Sequence, residues 1–193
     1  RRSAVTRKAG RRAVMRENAM GERSTLTSAD HDEGKGQSRR VFQGVGKTTA
    51  ALSRLEPGEA ILDISGPLGT PSEVEKYGTV LMVGGGVGIA ALYPIIKALK
   101  QQGNKVITIL GGRTSSLVVM KEECAKYSDE LIVTTDDGSE GMKGVVTDAM
   151  KMVVERGEKV DRCWCIGPSI MMKFGTKAAK ELGLPIWVSL NPL

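Results

Sequence analysis

From residue 79 onward, short apolar runs alternate with longer segments in which apolar residues recur every three or four positions. Such runs predict buried strands, and such spacing predicts amphipathic helices. The predicted strands span residues 79–83, 105–110, 130–134, 161–166 and 186–190, and the predicted helices span 88–102, 116–127, 145–156 and 169–183. Strands that alternate with helices predict an α/β fold, a five-stranded parallel doubly wound sheet with right-handed connections.

The first part of the chain has a different pattern, in which short segments are separated by polar stretches that contain glycine. This pattern is typical of antiparallel strands. The predicted strands span 13–15, 21–30, 40–43 and 60–65, and one helix is predicted at 48–55. The stretch 31–38 is predicted to be a hairpin loop, and its His31, the only histidine of the chain, is interpreted as a solvated loop residue.

These patterns divide the chain into three parts. Residues 1–12 are basic, contain no acidic residue and show no periodic apolar pattern, so we expect a disordered tail. Residues 13–72 form the predicted antiparallel domain and residues 78–193 the parallel one, with the boundary in the linker 70–78. Because the chain begins with Arg and stops directly after a predicted strand, we expect a fragment of a longer protein.

Charge is uneven along the chain, and this limits the classes of partner. The formal net charge is +6, and residues 1–40 hold 11 Lys and Arg against 5 Asp and Glu, whereas residues 41–193 hold 17 against 17. The basic segment has no Phe, Tyr or Trp on which a base could stack, which argues against a nucleic-acid partner. No run of about 18 apolar residues occurs, so we predict no transmembrane helix and no membrane partner.

The cysteines indicate a reducing compartment. Cys124, Cys163 and Cys165 are odd in number, and the Cys-x-Cys spacing suits neither an ordinary disulfide nor a Cys-x-x-Cys redox pair. We therefore predict reduced thiols in a cytoplasmic protein. Cys163 and Cys165 lie two positions apart in a predicted strand and share a face, which favours a role as small core residues.

The most informative stretch is Gly84-Gly85-Gly86-Val87-Gly88, between the first parallel strand and the next helix. Glycines allow a tight turn that a ligand can approach closely, and the start of a helix offers free N–H groups to a phosphate. The Gly-x-Gly-x-x-Gly fingerprint is incomplete, because Ile89 occupies the third glycine position. We interpret the turn as a dinucleotide contact; a turn built only for close packing is the alternative.

Further ligand-suited loops follow the other parallel strands, whose carboxyl ends share the ligand-binding edge of a doubly wound sheet. The predicted cofactor-binding residues at this edge are Gly84, Gly85, Gly86, Val87, Gly88, Arg113, Thr135, Asp136, Asp137, Gly167 and Pro168. Arg113 lies after the second strand, where an acidic residue commonly holds the adenosine ribose. This leaves room for a 2′-phosphate, so NADH and NADPH both stay open.

The segment Gly46-Lys47-Thr48-Thr49 is similar to the end of a P-loop. The full motif requires a glycine at position 41, where Val41 stands. In a nucleotide triphosphatase, Asp136 and Asp137 would supply the Mg²⁺ site. This function remains an alternative, and the weaker inference is that the helix start forms an anion cradle.

Four motifs together resemble the pyridine-nucleotide half of the ferredoxin–NADP⁺ reductase superfamily. They are GGGVGIA at 84–90, GGRT at 111–114, TTDDGS at 134–139 and IGPSIMM at 166–172. The resemblance is strongest to the alpha subunits of NADH-dependent ferredoxin–NADP⁺ oxidoreductase, also called sulfide dehydrogenase. The electron-transfer subunits of dihydroorotate dehydrogenase are near relatives. The resemblance covers roughly residues 13–193.

The resemblance implies that the first domain is a partial FAD-binding β-barrel. The implied flavin-binding residues are Arg23, Leu26, Thr27, Gly46, Thr48 and Thr49. Arg23 would pair with the flavin phosphates, while Leu26 and Thr27 would lie along the isoalloxazine ring. The two threonines of the segment 46–49 would cap the pyrophosphate, so that the P-loop-like segment becomes a flavin cradle.

The chain departs from the family pattern at several points. Thr25 and Ala91 each stand where the family has a proline. The family barrel has six strands, and too few residues precede Arg23 to supply the first of them, which predicts weak FAD binding. The family also has a [2Fe–2S] cluster in a segment beyond Leu193, and the three cysteines present do not match its ligand spacing. We therefore expect no metal or cluster in this chain.

The resemblance implies an FAD-dependent NAD(P)H oxidoreductase subunit in which the cofactors perform the chemistry and no side chain acts as acid or base. Electrons would pass to the iron–sulfur cluster, to a partner flavoprotein or iron–sulfur subunit and to ferredoxin, within a hetero-oligomer. Three alternatives remain open: a dihydroorotate dehydrogenase electron-transfer subunit, a nucleotide triphosphatase and a non-catalytic fragment. Whether this chain retains FAD and activity is also open.

Overall fold

The computed structural model describes residues 12–16, 24–32, 34–61, 63–68 and 70–190. The chain forms two compact units, one ending at Glu73 and one beginning at Val74. This division lies inside the linker 70–78. Of the predicted tail 1–12, only Arg12 is among the described residues, and it begins a strand.

The first unit is an antiparallel sheet with one short helix, which confirms its predicted class. Its elements are β1 (Arg12–Arg16), β2 (Ser24–Asp32), β3 (Gln37–Arg40), α1 (Lys47–Leu52) and β4 (Asp63–Leu68). The four strands are ordered β3-β2-β1-β4. A small core holds Leu26 and Leu52, with Phe42, Leu55 and Ile61 packed against them.

Several predicted positions in this unit are wrong. His31 is half-buried in β2, opposite Ser38 of β3, because the hairpin turn is tighter than predicted. The strand predicted at 40–43 is displaced to β3, and the strand predicted at 60–65 is displaced to β4, which continues through Pro67. An edge strand such as β4 tolerates proline, because one side of it needs no ladder hydrogen bonds. The helix predicted at 48–55 is shorter.

The second unit is built on a parallel sheet, as predicted. Its strands are β5 (Thr79–Gly85), β6 (Lys105–Gly112), β7 (Glu130–Thr135), β8 (Met142–Lys143), β9 (Arg162–Ile166) and β10 (Ile186–Val188), ordered β10-β9-β5-β6-β7-β8. The sheet therefore has six strands instead of the predicted five. The additional strand, β8, has two residues, which is too short to produce a hydrophobic period.

Helices cover both faces of this sheet. They are α2 (Gly88–Gln101), α3 (Lys121–Lys126), α4 (Val146–Glu155) and α5 (Ser169–Glu181). Side chains alternate across a strand, so Leu81 and Val83 of β5 pack with Met150 and Val153 of α4. The opposite face lies against α2 and α3. Within the described residues, no helix is long and apolar enough to span a bilayer.

One predicted helix of the second unit is interrupted. Residues 116–127 form a 3₁₀ turn, Ser115–Leu117, and the separate helix α3. Met120 between them has a φ of 53°, a left-handed conformation that an α-helix cannot include. Val118 is buried against Gly112. A Cβ added to Gly112 would lie 3.0 Å from Cγ2 of Val118. Burial of Val118 thus ends the 3₁₀ turn, and a separate helix, α3, begins at Lys121.

All three cysteines are free and buried, which confirms their role as core residues. Cys163 and Cys165 pack in the core between the sheet and helices α4 and α5. Burial raises the pKa of Cys124 and Cys165 to about 12 each, and it raises that of Cys163 as well. These thiols therefore stay protonated. No group of three or more His, Cys, Asp or Glu among the described residues is arranged to hold a metal ion.

Candidate functional site

The order of the strands places the topological switch point of the sheet between β5 and β9, and the carboxyl edge at this point is called the crevice below. From β5 the chain moves through β6 and β7 on one side, then returns to β9 and β10 on the other. Ligands of doubly wound sheets bind at such a switch point. The stretch 84–88 runs from the last two residues of β5 to the first residue of α2, and Gly167 and Pro168 follow β9, so the topology brings these two predicted loops to the same crevice.

The glycines of the turn 84–88 serve different purposes. A Cβ on Gly88 would lie 2.5 Å from the carbonyl oxygen of Ile166, so this glycine lets α2 begin against the loop after β9. Gly84 is closed off in the same way by Leu92 and Ile89 of α2. Only Gly86 combines a positive φ, 54°, with open space where its Cβ would be. Gly86 is therefore the glycine of this turn that a ligand can approach.

Met171 forms part of the crevice, although the sequence did not single it out. Its sulfur lies 2.4 Å from the place where a Cβ of Gly85 would be, and its Cε lies 2.6 Å from the place of a Cβ on Gly167. The side chain is half-buried and packs on the core below. Met171 thus covers two of the predicted site glycines. Val87 and Pro168 are exposed beside it.

Arg113 lies in the loop after β6 and is exposed. Within the described part of the chain, no hydrogen bond or ion pair engages its guanidinium group. The neighbouring hydroxyl groups of Thr114 and Ser116 bond to each other over 2.8 Å. The loop therefore presents one accessible positive charge at the edge of the sheet.

The loop after β7 is hydrogen-bonded to the loop that carries Arg113. The amides of Asp136 and Asp137 donate to the carbonyl oxygens of Gly112 and Arg113, over 3.1 and 3.3 Å. The amide of Ser115 donates to Oγ of Ser139 over 2.9 Å. The structure thus brings the two predicted loops together, with Asp136 and Asp137 exposed beside the Arg113 loop.

Thr135 supports this loop from below. It is fully buried, its hydroxyl group donates to the carbonyl oxygen of Glu140 over 2.7 Å, and that hydroxyl accepts from the amide of Glu140 over 3.1 Å. Lys121 forms an ion pair with the carboxylate of Glu140. Thr135 is therefore placed to hold the loop rather than to offer its hydroxyl to a ligand.

Ser139 and Asp137 are joined by two hydrogen bonds within this loop. Oγ of Ser139 donates to Oδ1 of Asp137 over 2.6 Å, and the Ser139 amide donates to the same oxygen over 2.9 Å. These bonds lower the pKa of Asp137, so its carboxylate is ionised at neutral pH. An Asp followed two residues later by a bonded amide is an Asx-turn, and this signal in Asp137-Gly138-Ser139 could have predicted the role of Ser139.

The residues implied as flavin contacts are less uniform in placement. Arg23 lies outside the described residues. Leu26 and Thr48 are buried in the first unit, and Thr27 is half-buried in β2. The turn before α1 is exposed at Gly46, whose amide donates to Oγ1 of Thr49 over 3.0 Å. Gly46 and Thr49 thus remain accessible, whereas Leu26 and Thr48 do not.

Comparison with known proteins identifies the family. The family described as "Oxidoreductase NAD-binding domain" matches residues 82–177, which include the whole crevice. A Thermotoga maritima protein named as a homolog of the electron transfer subunit of dihydroorotate dehydrogenase B (NAD(+)) is 56% identical over 184 residues, which cover 95% of this chain and 64% of that protein. A solved structure of NADH-dependent reduced ferredoxin-NADP oxidoreductase is 55% identical with a TM-score of 0.90, covering 97% of this chain and 67% of that chain.

The chain belongs to the ferredoxin–NADP⁺ reductase superfamily. This confirms the resemblance of its four motifs. The chain spans about two thirds of the length of these two relatives. The second unit also resembles a domain solved by itself, the C-terminal domain of PF1911 hydrogenase from Pyrococcus furiosus, which is 30% identical with a TM-score of 0.53. That match covers 65% of this chain and all of the solved domain.

Proposed function

We propose that the second unit of this reductase-family chain binds a nicotinamide dinucleotide across the carboxyl edge of its parallel sheet. The observation that carries the proposal is the turn at Gly86, which is open, has a positive φ and lies at the switch point between β5 and β9. The pyrophosphate would meet the free amides where α2 begins. The match of the NAD-binding family to residues 82–177 supports the same location.

The proposed roles follow from position along the edge. Gly86 and Val87 contact the pyrophosphate, while Gly84, Gly85 and Gly88 keep the turn packed close enough to do so. Arg113 lies after the second strand of the sheet, where the adenosine ribose or its 2′-phosphate is bound in this architecture.

Other residues of the edge complete the site. Asp136 and Asp137 border the adenosine half, supported by the buried Thr135. Gly167 and Pro168 border the nicotinamide half, together with Met171.

The first unit is proposed to contribute to an FAD site. Gly46 is exposed and Thr49 and Thr27 are half-buried, whereas the buried Leu26 and Thr48 support the core instead. The Gly46 amide donates to the Thr49 hydroxyl, so a pyrophosphate would have to replace that bond. When bound, FAD would supply the capacity to take up hydride from the nicotinamide and to release electrons one at a time. The protein's own task is to hold both nucleotides and to exclude water. Arg23 is retained as a proposed partner of the flavin phosphates.

We further propose that the intact protein acts as an electron-transfer subunit with a partner subunit, in a cytoplasmic complex that delivers electrons to ferredoxin through an iron–sulfur cluster. The names of its relatives support two versions of this function. One is the ferredoxin–NADP⁺ oxidoreductase subunit, and the other is the electron-transfer subunit of dihydroorotate dehydrogenase. Reduction of ferredoxin or of orotate by the reconstituted complex would distinguish them.

The nucleotide triphosphatase alternative finds no support in the structure. Residues 41–45 before Gly46 form no strand, α1 has only 6 residues, and the sheet of this unit is antiparallel. A P-loop requires a strand followed directly by the loop and its helix. Lys47→Ala is therefore expected to leave nucleotide binding by the chain unchanged.

The proposed dinucleotide site is tested by Gly86→Ala, with Gly103→Ala as a matched control. Gly103 also has a positive φ, 78°, and open space at the place of its Cβ, but it follows the far end of α2. Both variants should lose about 1 kcal/mol of stability from left-handed strain. Only Gly86→Ala should raise the Kd for NADH, by about tenfold or more, because its methyl group points into the site.

Titration of the purified chain with NADH and NADPH gives these dissociation constants, and the absorbance spectrum reports any bound flavin. Failure of the wild-type chain to bind either dinucleotide would contradict the proposed function. An equal change of the Kd for NADH in Gly86→Ala and Gly103→Ala would show that the dinucleotide does not bind at Gly86.

A further inference from the structure

The loops after β6 and β7 are joined by contacts along their whole length. Two amides of the β7 loop donate to carbonyl oxygens of Gly112 and Arg113, and the amide of Ser115 donates back to Ser139. At the far end, Lys121 pairs with Glu140. Because these contacts alternate in direction, neither loop can move without breaking bonds to the other.

Ser139 occupies the centre of this connection. Its Oγ accepts from the Ser115 amide over 2.9 Å and donates to Oδ1 of Asp137 over 2.6 Å. A serine hydroxyl has one proton, so a donor bond to the ionised Asp137 leaves its lone pairs for Ser115. The charged acceptor therefore fixes the orientation of the hydroxyl group, and this orientation fixes the Ser115 amide.

The backbone of Arg113 is held on both sides by this arrangement. Its carbonyl oxygen accepts from Asp137, and the Ser115 amide two residues later is held by Ser139. The exposed guanidinium group of Arg113 has no partner within the described residues, so these bonds act on Arg113 through its backbone, which sets the direction in which the side chain leaves the loop. A change at Ser139 should therefore change the position of the Arg113 backbone.

We propose that Ser139 is a positioning residue that acts through Arg113 to set the affinity of the edge for a dinucleotide. This inference rests on the proposed function, because it requires a dinucleotide at the carboxyl edge of the sheet. Asp136, Asp137 and Lys143 also face this part of the loop, and Lys143 packs against Gly138. Ser139 changes none of these charges, so its effect is one of geometry.

The test is a double-mutant cycle between Ser139→Ala and Arg113→Met, with the Kd for NADH as readout. Each single variant should weaken NADH binding about fivefold to tenfold, the value of one hydrogen bond to a charged or ordered group. In the Arg113→Met background, Ser139→Ala should have no further effect, because residues that act as one unit are not additive. Ser139→Thr, which keeps the hydroxyl group, should restore the affinity.

Ser128→Ala is the matched control. Ser128 also makes two side-chain hydrogen bonds in this unit, to Thr108 over 2.6 Å and to the carbonyl oxygen of Cys124 over 2.8 Å, and it lies at the opposite end of β7. It should lower the melting temperature without changing the Kd. Exchange of the Ser115 amide, followed by NMR, should be faster in Ser139→Ala and unchanged in Ser128→Ala.

The outcomes distinguish a failure of the proposed function from a failure of the role proposed for Ser139. If the wild-type chain binds no dinucleotide, the proposed function fails. If it binds and Ser139→Ala binds equally well, or if the two substitutions are additive, the role of Ser139 through Arg113 is overturned. An equal loss of affinity in Ser128→Ala would also overturn it, since the loss would then reflect general destabilisation.

Discussion

At the scale of single residues, Asn104 shows how one buried side chain organises the start of the second unit. Its Oδ1 accepts from the amides of Tyr77 and Gly78, over 2.7 and 3.1 Å. Its Nδ2 donates to the carbonyl oxygens of Glu75 and Leu99, over 2.8 Å each. All four bonds of the amide are thus made while the residue is 2% exposed. Asn104 joins the segment before β5 to the end of α2.

Asn104→Ala should lower the free energy of unfolding of the second unit by about 3 kcal/mol, because it leaves several buried backbone groups without partners. Gln102→Ala, which removes an exposed amide two positions earlier, should change it by less than about 0.5 kcal/mol. Urea unfolding followed by tryptophan fluorescence measures this unit alone, since both tryptophans, Trp164 and Trp187, belong to it. Equal midpoints for the two variants would rule out the anchoring role.

At the scale of elements, the parallel sheet could be predicted from sequence because each of its longer strands is an apolar run followed by a helical period. The ligand-binding edge of the sheet could be predicted from the same topology, because the carboxyl ends of parallel strands share one edge. The interruption at Met120 could not be predicted, because the 3₁₀ turn depends on the burial of Val118 against Gly112 at the end of β6. The different uses of Gly84, Gly86 and Gly88 likewise depend on which atoms lie opposite each of them.

The first unit was harder to predict for a related reason. Its core is small, so few positions along its strands must be apolar, and the pattern fixes their register weakly. His31 and β4 were displaced for this reason. The buried Leu26 and Thr48 also show that a family motif can supply core residues next to the ones proposed to contact a ligand.

An ion pair between elements gives the second unit a defined dependence on pH. Arg156, at the end of α4, donates Nη1 to Oε1 of Glu130 over 2.6 Å, and its Nη2 pairs with the second carboxylate oxygen. These bonds lower the pKa of Glu130 below its ordinary value. The stabilisation is therefore present above the unfolded-state pKa of about 4.3 and is lost as the pH falls through the lower folded-state value.

Glu130→Gln should remove this contribution, which is at most about 1 kcal/mol because both side chains are about one third exposed. The wild-type chain should be more stable than the variant at pH 7, and the difference should shrink as the pH falls below about 4 and vanish below the lowered folded-state pKa of Glu130. Thermal unfolding at a series of pH values checks this. Glu155→Gln, a change of an exposed acid in the same helix end, serves as the control. A difference that does not change between pH 7 and about pH 2 would contradict the assignment.

At the scale of the whole molecule, the two units differ in the size of their cores and in which proposed ligand contacts they contain. Every residue proposed to contact the nicotinamide dinucleotide lies in the second unit, which has an extensive core of its own from both helix layers. Among the described residues of the first unit, the buried apolar side chains are those of Leu26, Ala29 and Leu52. Dinucleotide binding and flavin binding should therefore be separable properties of this chain.

Residues 74–193 produced alone should fold and should bind NADH with the same Kd as the whole chain, whereas any flavin binding should be lost. The core and the carboxyl edge of the sheet lie entirely within this segment, and a related domain was solved by itself. Ligand binding to the folded state raises stability by about 2.7 kcal/mol at 100 times Kd, so NADH should shift the unfolding of both proteins equally. At the same NADH concentration a tenfold higher Kd leaves about 1.4 kcal/mol of this stabilisation, so Gly86→Ala should roughly halve the shift in both proteins, and Gly103→Ala should leave it unchanged. If the isolated segment folds but no longer binds NADH, residues of the first unit must complete the dinucleotide site.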